Sequence, residues 1–242
     1  MPHVAQHQIS NRLLSVLSAP DYALLAPYLE PVELPRLFSL SQAHTPSDHS
    51  YFPTSGIGSI VAASQDGQSA EVGVFGREGM TPTAVVLNTA SDPFSIFMQV
   101  SGEGYRIRND VFRDALRQSS VMKALLDRYA QVCAVQTAYT ALSNAVHHID
   151  ERLARWILMC HDRTEGDEIL LTHEFLAVML AVRRPTVTTA LHVLEGNRFI
   201  YSERGMIVIR NREALEAFAK DAYGVPEQEY HRLIGPIKPA LN

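Results

Sequence analysis

Residues 171–209 constrain the fold more than any other stretch of the chain. Thr172 is suited to capping a first helix, because its hydroxyl can accept from a free amide of the first turn. Apolar residues follow at helical spacing: Leu176, Met179 and Leu180. After a break at residues 181–183, a second helix begins with Pro185 in its first turn, where a missing amide hydrogen costs nothing. The pattern predicts two short helices joined by a tight turn.

The second of these helices has one apolar and one polar face. Its apolar positions follow the spacing i, i+3, i+4, i+7, which buries one stripe: Val187, Ala190, Leu191 and Leu194. Gly196 ends the helix, and two short β-type runs at 199–201 and 206–209 enclose a turn. The order helix, turn, helix, hairpin predicts a winged helix-turn-helix.

The polar face of this helix predicts contact with DNA. Residues 171–212 contain six arginines and three glutamates, a local charge of +3 (six minus three) in a chain of net charge −5. Cations on such a face pair with phosphates, while hydroxyl and imidazole groups bond to base edges in the major groove. Two packed helices with a solvated polar face are the alternative. The predicted DNA-binding residues are Thr172, Arg183, Arg184, Thr186, Thr188, Thr189 and His192.

This stretch resembles the DNA-binding domain of the Crp–Fnr family of bacterial transcription regulators. The family pattern is approximately Ser/Thr-Arg-x-Thr-Val-x-Arg, followed by Leu-x-x-Leu. Five positions agree with it: Arg184, Thr186, Val187, Leu191 and Leu194. Arg183 replaces the Ser/Thr, Pro185 the common base-contacting Glu, and Thr189 the later Arg. An acceptor for cytosine and a donor to guanine are therefore missing, and we expect an operator different from the family's best-known one.

The resemblance extends over about residues 10–215 and implies an α+β fold in two domains. An N-terminal antiparallel, jelly-roll-like β-roll is expected first, because helical texture at 8–30 gives way to short β-type runs separated by turn residues. We assign 1–147 to a cyclic-nucleotide-binding-like sensor domain and 148–242 to the winged helix-turn-helix domain with a tail. The predicted strands are 51–52, 58–63, 70–75, 84–87, 95–100 and 104–107.

The β-roll of this family often binds a cyclic nucleotide, and residues 74–80 resemble the first half of its phosphate cassette. Glu78 stands where a ribose-binding carboxylate is expected, with Arg77 beside it as a second ligand residue; a plain turn is the alternative for Glu78. The second half is missing, because Phe94 replaces the family's arginine and no basic residue follows Arg77 before Arg106. A buried phosphate without a cation is poorly compensated. We therefore predict no cyclic nucleotide, unless Arg77 or Arg106 substitutes.

Further cofactors and catalysis are predicted to be absent. The two cysteines, Cys133 and Cys160, lie in helical patterns and are expected to be buried thiols. Oxygen-sensing relatives hold an iron–sulfur cluster on N-terminal cysteines, and no cysteine precedes Cys133, so no cluster is expected. No His-x-His pair and no Gly-x-Ser-x-Gly motif occurs, so we predict neither a metal site nor an enzyme.

A long helix at about residues 111–146 is predicted to dimerise the chain. Its seam alternates three and four residues, as in a coiled coil: Met122, Leu125, Tyr129, Val132, Gln136 and Tyr139. A helix packed on its own domain is the alternative. A dimer places two winged helices on half-sites about one DNA turn apart. A following helix at 149–161, capped by Asp150, is expected to open the DNA-binding domain.

Together these features predict a cytoplasmic, sequence-specific transcription regulator that binds a palindromic operator as a homodimer. No apolar run approaches the ~18 residues of a membrane span, and the N-terminus lacks a basic start followed by an apolar block. RNA polymerase and an unidentified small-molecule effector are further expected partners. The alternative is a ligand-binding β-roll protein whose winged helix mediates protein–protein assembly. The tail at 221–242 either docks on the protein or stays free.

Overall fold

The chain begins with short helices that cover the β-roll. The computed structural model describes residues 4–203 and 205–237. Helix α1 spans Arg12–Ser15 and helix α2 spans Ala19–Leu25, with single 3-10 turns before and after them. Asn11 caps α1 by accepting from Leu14 N, and Ser18 caps α2 by accepting from Asp21 N. The predicted helical texture at 8–30 is therefore two separate helices.

Seven strands then form two antiparallel sheets. They are β1 (Glu30–Leu34), β2 (Ser39–Ser41), β3 (His49–Pro53), β4 (Ile57–Ala63), β5 (Ser69–Phe75), β6 (Ser95–Val100) and β7 (Gly102–Arg108). One sheet has the order β1-β7-β3, and the other has the order β2-β6-β4-β5. Apolar side chains from both sheets, among them Leu34, Phe75 and Met98, pack between them. The predicted β-roll is confirmed.

Two details of the roll differ from the predicted strands. Residues 84–87 do not pair; Thr83–Val85 form a 3-10 turn, and Val85 and Val86 are buried against the helical core. A short apolar run does not distinguish a strand from a buried turn. Strands β1 and β2 were not predicted, and β1 contains a proline, Pro31. The proline is tolerated because β1 is an edge strand that pairs only with β7.

The predicted long helix is broken in two. Helix α3 spans Asn109–Gln118 and helix α4 spans Ser120–Val146. Ser119 between them is extended, and its hydroxyl accepts from Met122 N at 3.0 Å to cap α4. The 27 residues of α4 correspond to about 40 Å.

The predicted dimer seam faces the chain's own interior. Met122, Leu125, Tyr129 and Val132 belong to the core cluster that α4 forms with α1 and α3. Gln136 is buried as well, where its side-chain oxygen accepts from Val74 N of β5 at 2.7 Å. Tyr139 is half-buried. The stripe of α4 that faces solvent lies on the other side of the helix from the predicted seam.

The C-terminal half is a winged helix-turn-helix, as predicted. Its elements are α5 (Ile149–His161), β8 (Glu168–Leu170), α6 (His173–Met179), α7 (Arg184–Gly196), β9 (Ile200–Glu203), β10 (Met206–Ile209) and α8 (Arg212–Ala219). The wing is an antiparallel sheet of order β8-β10-β9, in which β8 is an unpredicted third strand. The cap of α5 is His148 rather than Asp150, because Glu151 accepts from His148 N and fixes the first turn.

The tail docks on the N-terminal half through helix α9, which spans Val225–Leu233. Tyr230 is buried in the core beside α4, and its hydroxyl donates to Glu78 O at 2.7 Å. Arg128 Nε of α4 donates to Leu233 O at 3.1 Å. Residues 238–242 of the tail lie outside the described part. Within residues 4–203 and 205–237, no helix has the length and apolarity needed to cross a membrane.

Candidate nucleic-acid interface

Helices α6 and α7 form the helix-turn-helix pair. Thr172 caps α6 by accepting from Phe175 N at 3.4 Å, and Ala181 makes the turn with a φ of +50°. All four predicted core positions of α7, Val187, Ala190, Leu191 and Leu194, are buried. The opposite face of α7, hereafter the recognition face, is consequently turned to solvent.

The structure places the predicted DNA-binding residues around this recognition face. Arg183, Arg184, Thr186, Thr189 and His192 are exposed, and Thr188 and Thr172 are half-buried. Arg184 Nη1 lies 3.3 Å from Glu174 Oε1, in a pair whose side chains are both more than half exposed. Such an exposed pair contributes little and is easily exchanged for a phosphate. The two arginines are therefore available to a duplex.

Three threonine hydroxyls already have partners within the protein. Thr188 and Thr189 donate to the carbonyls four residues earlier, at 3.3 and 3.2 Å. Thr172 accepts from an amide and so keeps its own hydrogen for a phosphate oxygen. Thr188 and Thr189 must rotate about χ1 before they can donate to a base.

One further residue at this surface was missed by sequence reasoning. His173 Nδ1 lies 3.3 Å from Thr188 Oγ1, so its ring stands beside the recognition face. It is the first residue of α6, directly after the cap, where a helix N-terminus favours an anion such as phosphate. Its position next to Thr172 was the available signal.

The single acidic residue of α7, Glu195, is turned away from the recognition face. Its side chain accepts from Ser202 N of the wing at 2.8 Å. The carboxylate thus fixes the first wing strand relative to α7. It does not repel phosphates at the front of the helix.

The predicted ligand residues of the β-roll lie against the DNA-binding domain. Glu78 Oε1 is 2.8 Å from Arg163 Nε, and the two side chains are 2% and 4% exposed. Arg77 Nη1 contacts Glu165 Oε1 at 2.8 Å. Arg106 lies elsewhere and pairs with Glu30 at the surface. Glu78 lies in a tight turn closed by a hydrogen bond from Gly79 N to Gly76 O; its carboxylate joins the two domains.

The thiols lie in surroundings that suppress reactivity. Burial raises the pKa of Cys133 to about 12, and burial raises the pKa of Cys160 well above its ordinary value. Among the residues that the structure describes, no three His, Cys, Asp or Glu side chains are grouped so as to hold a metal ion.

The fold and this surface define a class of protein in which a β-roll is joined through a long helix to a winged helix-turn-helix. Residues 151–218 match the family model of the Crp-like helix-turn-helix domain. A comparison with curated proteins returns no match.

Solved structures of similar fold come from several bacteria. A crp/fnr family transcriptional regulator from Eubacterium rectale has a TM-score of 0.66 at 15% identity, covering 86% of this chain and 97% of that one. FixK2 from Bradyrhizobium japonicum has a TM-score of 0.68 at 14% identity, covering 79% and 98%. The c-di-GMP responsive regulator CLP from Xanthomonas campestris has a TM-score of 0.61 at 15% identity, covering 79% and 99%. The chain has the fold of these solved structures, and residues 151–218 match the Crp-like helix-turn-helix domain.

Proposed function

We propose that the chain is a sequence-specific DNA-binding transcription regulator that binds a palindromic operator as a homodimer. The recognition face of α7 carries the proposal, because its arginine, threonine and histidine side chains are exposed on a winged helix-turn-helix while Glu195 is turned to the wing. Location in the cytoplasm, absence of enzymatic activity and contact with RNA polymerase belong to the same proposal.

The direct test is selection of bound sequences from a random DNA pool, followed by titration of the selected duplex against salt and competitor DNA. Tight binding that survives competitor is the expected result. Weak binding with a steep salt dependence and no selected sequence would favour the alternative, in which the winged helix assembles with another protein.

Replacing Arg184 by alanine is expected to weaken binding to the selected duplex by about 1–3 kcal/mol if the guanidinium contacts a base. Fluorescence anisotropy on the selected and a scrambled duplex measures both affinities. Arg117→Ala is the matched control, because Arg117 is an exposed arginine on α3, outside the DNA-binding domain. An equal loss on both duplexes would show a phosphate contact instead, and no loss on either would remove Arg184 from the interface.

The dimer is proposed to form through the solvent-facing stripe of α4. Its positions alternate by three and four residues: Val121, Ala124, Arg128, Gln131, Val135, Ala138, Leu142 and Ala145. Val121 and Leu142, near the two ends of this stripe, are 68% and 47% exposed and so are open to a partner. A second copy is the expected partner, because the repeat runs the length of the helix and two half-sites require two winged helices.

Leu142→Lys is expected to dissociate this dimer, raising its dissociation constant roughly ten-fold or more, because two lysines then face each other in the seam. Sedimentation velocity across a concentration series measures the change, and affinity for the palindrome falls in parallel. Leu87→Lys is the matched control, since Leu87 is 58% exposed but lies outside α4. A monomeric wild-type protein, or a variant of unchanged mass, would contradict the assignment.

Control by cyclic AMP is not part of the proposed function. Glu78 is paired with Arg163 inside the protein, and Arg106 pairs with Glu30 away from it, so these side chains do not converge on a phosphate. We expect equal operator affinity with and without cyclic AMP. A small molecule of another kind is the proposed effector.

A further inference from the structure

A small cavity lies where the β-roll, α4 and the winged helix-turn-helix domain meet. Its volume is about 20 Å³, and its lining comes from β5, α4, α5 and α6. The residues that bear on its chemistry are Glu71, Ser143, Arg152, Arg155, Trp156 and Met179. A space of this size accommodates one water molecule.

Three polar atoms of this lining have no hydrogen-bond partner within the protein. They are Glu71 Oε2, Ser143 Oγ and Arg152 Nε. Glu71 and Ser143 are 4% and 2% exposed, so bulk water does not compensate them. Leaving one such group unpaired costs a large part of its solvation energy. Three in one cavity indicate a shared partner.

The remaining polar atoms of the same side chains are already satisfied. Trp156 Nε1 donates to Glu71 Oε1, and Arg152 donates through its terminal nitrogen to Leu180 O at 2.6 Å. Arg155 donates to Thr140 Oγ1 at 3.0 Å. These bonds hold the lining side chains in place and leave the three other atoms without a partner.

The hydrogen-bonding capacity of these three atoms determines which molecule can occupy the cavity. Arg152 Nε can only donate a hydrogen bond, so the bound molecule must accept one, which a metal or ammonium ion cannot do. An ionised Glu71 can only accept hydrogen bonds, so the bound molecule must also donate one, which a halide ion cannot do. Ser143 Oγ bonds in either sense. A water molecule satisfies all three.

Glu71 is placed to exist in both protonation states. Burial raises its pKa to about 7, and the hydrogen bond from Trp156 only partly opposes this. The charged groups that face it are Arg155 of α5 and Arg163 of the turn that follows α5. A water accommodates either state by reorientation, because it exchanges a donated bond for an accepted one.

We propose that this cavity is a binding site for one water molecule, which joins Glu71 of the β-roll, Ser143 of the long helix and Arg152 of the DNA-binding domain. The three elements are then tied at one point, in addition to their apolar packing. The neighbouring bond from Gln99 Nε2 to Met179 Sδ, at 3.2 Å, ties α6 to the roll in the same region.

A crystal structure of the full-length protein at 1.8 Å or better tests the site. The expected result is a single density peak about 2.7–3.2 Å from all three atoms. A cavity without density, a peak that contacts none of them, an ion in its place, or direct pairing of Glu71 with Arg152 would each overturn the proposal.

Ser143→Ala removes one partner of the water and is expected to lower the Tm by roughly 2–4 °C. It should also shift the fluorescence of Trp156, the single tryptophan of the chain. Ser120→Ala is the matched control, because Ser120 lies on the same helix but is exposed, so the same side-chain change is made away from the cavity. Equal behaviour of the two variants would overturn the proposal.

Discussion

Arg163→Met is expected to lower the free energy of unfolding by about 3–5 kcal/mol, because it leaves the carboxylate of Glu78 charged and unpaired in the interior. Glu78 Oε2 already has no partner in the protein, so Arg163 supplies the only side-chain bond that the carboxylate receives among the described residues. Arg163 also donates to Met159 O at 2.7 Å, and that carbonyl loses a donor in the variant.

Urea denaturation followed by circular dichroism measures this loss. The double variant Glu78→Met with Arg163→Met is expected to recover most of it, since replacing both members of a buried pair by apolar side chains is often close to neutral. Arg232→Met is the control, because Arg232 is exposed and paired with Glu229 on the surface of α9. Equal losses in the single and double variants would show that the unpaired charge is not the cause.

The second large effect concerns pH. The pKa of Glu71 is about 7 in the folded protein, raised by burial from an ordinary value of 4.5. Below about pH 4.5 the folded and unfolded states both hold the proton, and the full stability is present. As the pH rises through 7, the unfolded state has lost its proton first and the folded state must follow. Glu71 is therefore expected to cost the fold about 3 kcal/mol between pH 4.5 and 7.5.

Glu71→Gln removes this titration. The difference in unfolding free energy between wild type and Glu71→Gln, measured by denaturant titration with circular dichroism at several pH values, is expected to fall by about 3 kcal/mol over that interval. Glu103→Gln serves as the exposed control, and its difference from wild type should stay flat. Parallel profiles for wild type and Glu71→Gln would refute the assignment.

Much of the fold could be predicted because its signals are local. The apolar spacing of Val187, Leu191 and Leu194 lies within two helical turns and sets which face of α7 is buried. Turn residues between the short apolar runs likewise marked where the strands of the β-roll begin and end. The partner of each face of α4 could not be predicted in this way. Periodicity shows which residues share a face, but not whether the chain itself or a second copy covers that face. Tyr230, about 100 residues further along, covers part of that face.

The recognition face could be predicted from one stretch of sequence. The contacts between the β-roll and the winged helix-turn-helix domain could not. Arg163 and Glu78 are 85 positions apart, as are Trp156 and Glu71, and each glutamate alone is compatible with an exposed turn or strand. Only the packing of α5 on the roll brings these groups together. No spacing rule contains that information.

The docking of α9 has a consequence for synthesis of the chain. Tyr230 fills part of the same core as Leu13 and Phe112, so that core lacks a large aromatic side chain until helix α9 has been synthesised. Domains usually fold in order from the N-terminus during translation. Here the helical core of the N-terminal half is completed only after the winged helix-turn-helix has been synthesised, because α9 follows it in the chain.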